Sequence, residues 1–159
     1  MKIEPGQLAP DFTLYDSDKN KVSLHDFKGR PVLLLFFPQA FTSVCTKELC
    51  SVRDSIGLFE NVRAQVLGIS VDSVFTLAKY KEEQGFNFPL LSDFNKEVSA
   101  AYGSLYEHFA FEMRGVSRRS AFVIDQEGIV RYAEVLESAG DIPDFKAIQE
   151  TIGNLVLVK

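Results

Sequence analysis

The most distinct feature of the hydrophobic pattern is residues 31–37, an unbroken apolar run that follows a Gly-Arg pair and ends at Pro38. A continuous apolar run of this length between turn-forming residues is typical of a central strand that is buried on both faces. Residues 64–71 are also mostly apolar and predict the next strand. The pattern therefore predicts two buried strands with a long connection between them.

That connection carries a helical pattern. Thr42 or Ser43 can serve as the N-cap, because a hydroxyl oxygen accepts a hydrogen bond from the first backbone N–H groups of a helix. Apolar residues then recur at helical spacing, which predicts a helix to about residue 60. These residues are Leu49, Val52, Ile56 and Phe59.

The rest of the chain predicts a series of shorter elements. An N-terminal hairpin is expected because two apolar stretches flank a turn-prone segment. In chain order, the expectations are a hairpin over 13–24, a helical turn over 24–28, a helix over 74–84 capped by Asp72 or Ser73, an extended piece at 88–91, a helix over 95–102, a loop over 105–117, strands at 120–124 and 129–135, and a helix over 143–152.

This order of elements predicts an α/β fold with a central mixed sheet flanked by helices. A right-handed crossover places the start of the first long helix at the carboxyl end of the strand at 32–37. In open α/β sheets, ligands and catalytic groups gather at this edge. The length of 159 residues indicates one domain, residues 1–159.

Composition narrows the possible partners and location. The net charge of −5 argues against general binding to nucleic acid or anionic membranes. The N-terminus lacks the apolar segment of a signal peptide, and the longest apolar run is far too short to span a bilayer. We therefore expect a cytoplasmic protein that binds neither nucleic acid nor membranes.

The two cysteines, Cys45 and Cys50, stand out against this composition. Two cysteines in a chain of this size do not form a disulfide scaffold, and their spacing is not the Cys-x-x-Cys of zinc ribbons or thioredoxin-like reductants. His25 and His108 lie far from them in the sequence, so we expect no metal site.

Cys45 falls in the first turn of the predicted helix. Backbone N–H groups there lack partners and the helix dipole favours negative charge, so this position stabilises a reactive thiolate. The simpler interpretation is a buried cysteine that acts as a small hydrophobic residue. Thr42 lies one turn before Cys45 and Glu48 one turn after it, so both can share its face of the helix.

Each neighbour also has two interpretations. Pro38 can shield the pocket from water or can simply end the strand. The Thr42 hydroxyl can donate to the thiolate and accept from a peroxide, or it can only cap the helix. Glu48 can orient an arginine, or it can be a solvated carboxylate near a helix start.

Together these residues resemble a known family. Pro38-x-x-x-Thr42-x-x-Cys45 resembles the active-site motif of the peroxiredoxins (AhpC/TSA superfamily), and residues 9–14, 88–93 and 119–125 resemble other landmarks of that family in the right order. The pattern lies between the bacterioferritin-comigratory (Q-type) and AhpE-type branches. The resemblance implies a thioredoxin-like fold with an N-terminal extension.

The resemblance also implies a function. Cys45 would attack hydrogen peroxide or organic hydroperoxides and become a sulfenic acid, with no cofactor. Arg119 would contact the thiolate, whereas Arg118 would point to the opposite face of its strand. Apart from the resemblance, we expect Phe37, Phe41 and Phe122 to contribute an apolar pocket that suits organic hydroperoxides. A thioredoxin or glutaredoxin-like protein would be the reductant, and the chain would be a monomer or a homodimer.

The role of Cys50 stays open. The resemblance to the Q-type branch implies a resolving disulfide with Cys45, but five helical residues place the two Cα atoms ~8.6 Å apart, beyond the ~7 Å that a disulfide spans. The start of the helix would have to unwind. Otherwise Cys50 is a core residue and an external thiol reduces Cys45. The alternatives for the whole protein are a peroxide-sensing switch without rapid turnover and a thiol–disulfide oxidoreductase.

Overall fold

The predicted central strand, β3, spans Val32–Phe36, and all five of its residues are buried. The computed structural model describes residues 2–157. The other strands are β1 (Thr13–Asp16), β2 (Lys21–Ser23), β4 (Gln65–Ser70), β5 (Leu90–Ser92), β6 (Leu105–Tyr106), β7 (Val116–Ser117), β8 (Ser120–Ile124) and β9 (Val130–Val135). Seven of the strands form one sheet in the order β2-β1-β5-β4-β3-β8-β9, and β6 and β7 form a separate pair.

The sheet is mixed, as predicted. β3 is parallel to β4 and antiparallel to β8, and β4 is parallel to β5. The predicted N-terminal hairpin is confirmed: β1 pairs with β2 and joins the sheet through an antiparallel contact with β5. The helices are α1 (Ser43–Asp54), α2 (Ile56–Glu60), α3 (Val74–Gln84), α4 (Glu97–Ala101) and α5 (Phe145–Leu157), with 3-10 turns at Leu24–Phe27 and Ala110–Glu112.

Alternation along β3 divides the core between the two faces of the sheet. Leu33 and Leu35 pack with residues from α1, α3 and α5 on one face. Leu34 and Phe36 pack with α4 and the N-terminal segment on the other. α1 and α3 share a face because the chain steps from β3 to β4 to β5 in one direction, and right-handed crossovers then fall on the same side.

Several predicted elements differ from the structure. The single helix to residue 60 is two helices, because the chain leaves helical geometry at Ser55 (φ −110°, ψ 14°) before α2 begins. The helix predicted over 95–102 is shorter, since Lys96 has a left-handed φ of 68° and the helix begins only after it, at Glu97. The predicted loop over 105–117 contains the β6–β7 hairpin, whose two-residue strands are too short to show a period of two.

The last helix also differs from the prediction, since α5 begins at Phe145 and extends beyond residue 152. Within residues 2–157, no helix combines the length and the apolar character needed to cross a lipid bilayer.

Candidate active site

The loop between β3 and α1 carries the predicted site residues to the carboxyl edge of the sheet. Pro38 is buried and directly follows Phe37, whose N–H makes a last sheet-like hydrogen bond to the Ile69 carbonyl (3.0 Å). Thr42 has the extended backbone of an N-cap residue. Cys45 is the third residue of α1 and is fully buried. Because the first helical hydrogen bond runs from Thr46 N–H to the Thr42 carbonyl (2.9 Å), the Cys45 N–H has no partner within the helix.

Arg119 reaches Cys45 from a neighbouring strand at the same edge of the sheet. It directly precedes β8, the antiparallel neighbour of β3. Its Nη2 lies 3.2 Å from Cys45 Sγ and its Nη1 2.8 Å from Glu48 Oε1. Its Nε donates to the Ala139 carbonyl at 3.0 Å. All three nitrogens of a buried guanidinium are therefore engaged, which fixes the positive charge against the sulfur.

Glu48 is fully buried beside this guanidinium. Its Oε2 has no hydrogen-bond partner within the described part of the chain. Burial raises the pKa of Glu48 to about 7, and the neighbouring Arg119 opposes this rise. Glu48 is thus a buried partner of the arginine and not a solvated carboxylate, because one turn of α1 places it on the inward face with Cys45.

Arg118 is directed elsewhere. Its Nε and Nη2 both donate to the Leu136 carbonyl at 3.3 Å, and its guanidinium lies 5.3 Å from the centre of the Tyr106 ring. Adjacent residues in an extended segment point to opposite faces, so only one of the two arginines can meet Cys45.

The Thr42 hydroxyl differs from its prediction in two respects. Its hydroxyl donates to the Gln39 carbonyl at 2.8 Å, so the proton is directed into the loop and not toward Cys45. The oxygen also makes no cap hydrogen bond to the helix. Its lone pairs remain available to accept from a bound molecule.

The comparisons with known proteins agree with this geometry. The sequence model of the AhpC/TSA family matches residues 5–133. The chain belongs to the AhpC/TSA family of peroxiredoxins. Alkyl hydroperoxide reductase E of Mycobacterium tuberculosis is 42% identical over 145 residues, which cover 89% of this peroxiredoxin and 91% of that protein.

Solved structures give the same result. The crystal structure of peroxidoxin BcpB from Mycobacterium tuberculosis aligns with a TM-score of 0.82 and 31% identity over 99% of both chains. Xanthomonas campestris peroxiredoxin Q aligns with a TM-score of 0.79 and 26% identity over 91% of both chains. The predicted thioredoxin-like fold is confirmed, and this peroxiredoxin is a thiol-dependent peroxidase.

Cys50 lies on the same unbroken helix of the peroxiredoxin as Cys45. It is partly buried, and its Sγ lies 3.6 Å from Gln84 Oε1 at the end of α3. A second contact ties the two helices together, a 2.9 Å hydrogen bond between the hydroxyls of Thr46 and Tyr80. In this conformation the two thiols are free, and any disulfide between them requires α1 to unwind.

The expected aromatic pocket does not form as predicted. Phe122 packs on the face of the sheet that carries α4, away from α1. Phe37 is buried on the α1 face. Phe41 is half-exposed and its ring packs 4.9 Å from that of Tyr80. Alternation along β8 sends Phe122 to the far side, a consequence of register that the sequence alone did not reveal.

Two contacts of the site were missed in the sequence. Ala139 contributes only a backbone carbonyl, which leaves no signal in residue type. Of the two predicted caps of α3, Asp72 and Ser73, it is Ser73 that caps the helix, by accepting from Thr76 N–H (3.1 Å). The Asp72 carboxylate instead accepts from Ala40 N–H in the active-site loop (2.8 Å). The sequence did contain one indication that Asp72 lies at the site. It comes just after the strand β4, and the carboxyl ends of the parallel strands β3 and β4 lie at the same edge of the sheet.

The buried carboxyl of Glu48 predicts a specific pH dependence of stability. Its folded-state pKa of about 7 exceeds the ordinary value of 4.5, so the folded chain binds more protons than the unfolded chain between these two pH values. This contribution is full below pH ~4.5 and is lost as pH rises through ~7. Relative to Glu48→Gln, the wild type should lose about 3 kcal/mol of unfolding free energy across this range.

Urea unfolding of both chains at pH 4.5 to 8 measures this difference, since all other titrating groups are shared. A difference between the chains that stays constant with pH would show that folding does not raise the pKa of Glu48.

Proposed function

We propose that this peroxiredoxin reduces hydrogen peroxide and organic hydroperoxides with the Cys45 thiolate as the nucleophile. One observation carries the proposal: Cys45 Sγ lies 3.2 Å from the buried Arg119 Nη2, at the N-terminal turn of a helix. A buried cation and unpaired N–H groups therefore lie where negative charge spreads from the sulfur during attack on a peroxide. The buried Glu48 holds the cation in this position through Arg119 Nη1.

In the proposed reaction, the sulfur attacks the terminal oxygen of the hydroperoxide. The S–O bond forms as the O–O bond breaks, and the electron pair of the O–O bond leaves with the second oxygen. This leaving oxygen takes a proton from water and departs as alcohol or water. Cys45 becomes a sulfenic acid. Arg119 and the Cys45 N–H stabilise the spreading negative charge, and the Thr42 oxygen accepts from the peroxide hydroxyl. Pro38 is buried at the loop start and limits access of water.

Organic hydroperoxides are included on two grounds. The half-exposed Phe41 presents an apolar surface within the active-site loop. The name of the relative alkyl hydroperoxide reductase E supports the same substrate class for this chain.

The cycle closes when a thiol attacks the sulfenic acid. That thiol is either Cys50, after α1 unwinds, or an external thiol of a thioredoxin or glutaredoxin-like reductant. Helix ends open locally at low free energy, which supports the first route. The contacts of Cys50 with Gln84 and of Thr46 with Tyr80 oppose it. The monomeric or dimeric state and the cytoplasmic location stay predictions.

The test of this function is a peroxide-consumption assay. The full-length chain is supplied with thioredoxin, thioredoxin reductase and NADPH, or with a glutaredoxin system, and with hydrogen peroxide or cumene hydroperoxide. Turnover well above that of a free thiol is expected with both peroxides. Oxidation of Cys45 without sustained turnover in either system would favour the redox-sensing alternative.

Resolution by Cys50 makes a separate prediction. After one equivalent of hydrogen peroxide, the intact mass should fall by about two hydrogens and no free thiol should remain, because S–S formation releases water from the sulfenic acid. Cys50→Ser is the matched control and should instead retain a sulfenic acid on Cys45. A sulfenic or sulfinic adduct on Cys45 in the wild type, with Cys50 free, would assign resolution to an external thiol.

A further inference from the structure

The segment between β3 and α1 is strained and needs support from outside itself. After the Phe37 hydrogen bond to β4, Pro38 offers no N–H to continue the ladder. Phe41 has a φ of 68°, in the left-handed region that a non-glycine residue with a bulky side chain avoids. Such a conformation persists only where surrounding contacts hold it. The contact of Thr42 Oγ1 with Gln39 lies within the loop and cannot fix the loop relative to the sheet.

Asp72 ties this loop to the sheet. Its Oδ2 accepts the Ala40 N–H at 2.8 Å, at the residue directly before the strained Phe41. Asp72 comes two residues after β4 ends, at the sheet edge where the loop leaves β3. Two other contacts of the loop with distant residues run through side chains: the Phe41 ring packs on Tyr80, and Gln39 Nε2 donates to Met113 Sδ at 3.3 Å. The bond from Ala40 N–H to Asp72 instead holds the loop backbone itself, and a hydrogen bond is more directional than apolar packing.

Asp72 is itself held from two strands. Ser70 Oγ donates to the same Oδ2 at 2.7 Å and accepts from Asp72 N–H at 3.2 Å. Ser92 Oγ, at the end of β5, donates to the Asp72 carbonyl at 2.6 Å. Burial raises the pKa of Asp72, while the bonds from Ser70 and Ala40 favour its charged form. Burial disfavours the charged carboxylate, but hydrogen bonds to its side chain and to its backbone restrain Asp72. Asp72 is therefore a rigid support for the loop.

We propose that Asp72 is a positioning residue for the peroxidase reaction, which holds the active-site loop so that α1 begins where Cys45 meets Arg119. The inference rests on the proposed function of Cys45. α1 begins at Ser43, only three residues after Ala40, so a shift of the loop moves the helix start and the sulfur with it. A displacement of about 1 Å from reactive geometry can cost 10²-fold in rate.

The test measures Cys45 in full-length variants. Asp72→Ala removes the acceptor, whereas Asp72→Asn removes the charge but retains an amide oxygen that can accept both hydrogen bonds. Single-turnover oxidation by hydrogen peroxide should be at least about tenfold slower in the alanine variant and close to wild type in the asparagine variant. The pH profile of Cys45 alkylation by iodoacetamide, followed by peptide mass, should move to higher pH only in the alanine variant.

Asp54→Ala is the matched control. Asp54 lies on α1, the helix that carries Cys45, and forms an exposed ion pair with Arg53, so this variant should react as the wild type does. If Asp72→Ala does not fold, Ser70→Ala decides: it removes one support of the carboxylate and should slow oxidation by about threefold.

Three results would overturn the inference. They are a wild-type rate and pH profile in folded Asp72→Ala, wild-type behaviour in Ser70→Ala, and a loss in Asp72→Asn as large as in the alanine variant. Each is distinct from failure of the proposed function, in which the wild-type chain would itself lack peroxidase activity.

Discussion

Replacing Cys45 with serine is expected to leave no peroxide turnover above that of the free reductant. A serine hydroxyl stays protonated at neutral pH and cannot form the sulfur–oxygen bond on which the proposed cycle depends. Serine is close in size to cysteine, and the sulfur is buried between Arg119 and the loop, so the fold should persist. The measurement is NADPH-coupled consumption of hydrogen peroxide, with circular dichroism as the check on folding.

Cys50→Ser is the matched control on the same helix. The Cys50→Ser variant should oxidise Cys45 at the wild-type rate, because Cys50 contacts Gln84 and not Arg119. This holds even if the variant can no longer form a disulfide with the oxidised Cys45. Turnover that survives in Cys45→Ser and disappears in Cys50→Ser would reverse the two assignments.

The second large effect is expected for Arg119→Met, which should slow oxidation of Cys45 by about 10²–10³-fold. Methionine preserves most of the volume but removes the donor aimed at the sulfur, and the loss of one preorganised donor at a developing charge costs about this much. Glu48 then loses its partner and takes up a proton, so no unpaired charge remains buried. Stopped-flow oxidation by hydrogen peroxide measures the rate directly.

The neighbouring arginine provides the control for this substitution. Arg118→Met loses a contact with the Leu136 carbonyl and the Tyr106 ring but leaves the Cys45 environment intact. Its oxidation rate should stay within about threefold of wild type, since surface substitutions away from the site have small effects. Equal rates in the two methionine variants would remove Arg119 from the mechanism.

Local pattern accounts for most of the fold. The central strands, the N-terminal hairpin and α3 were predictable because each has a period or boundary residues of its own, such as Ser73 and Gly85 around α3. The break at Ser55 was not predictable, because apolar residues continue at helical spacing across it. The β6–β7 hairpin was missed because its strands depend on each other and carry no pattern individually.

The residues of the candidate active site also fall into those that local pattern predicts and those that it does not. Pro38, Thr42, Cys45 and Glu48 lie within one strand end and one helix start, so their approximate arrangement follows from helix geometry. The contact of Arg119 with Cys45 was predictable only through a family resemblance, because no local rule connects residues 74 positions apart. The direction of the Thr42 hydroxyl was not predictable, since a cap oxygen and a loop carbonyl compete for it.

The amino-acid sequence by itself determined that Cys45 lies in the first turn of a helix at the edge of a buried sheet, because strand and helix periodicity are local properties. The tertiary structure alone decided what surrounds that sulfur. In the folded chain, Arg119 contacts Glu48 and Ala139, Phe122 packs on the face of the sheet away from α1, and Asp72 accepts a hydrogen bond from the active-site loop. These contacts depend on strand order and register, which bring distant segments together and which no single segment encodes.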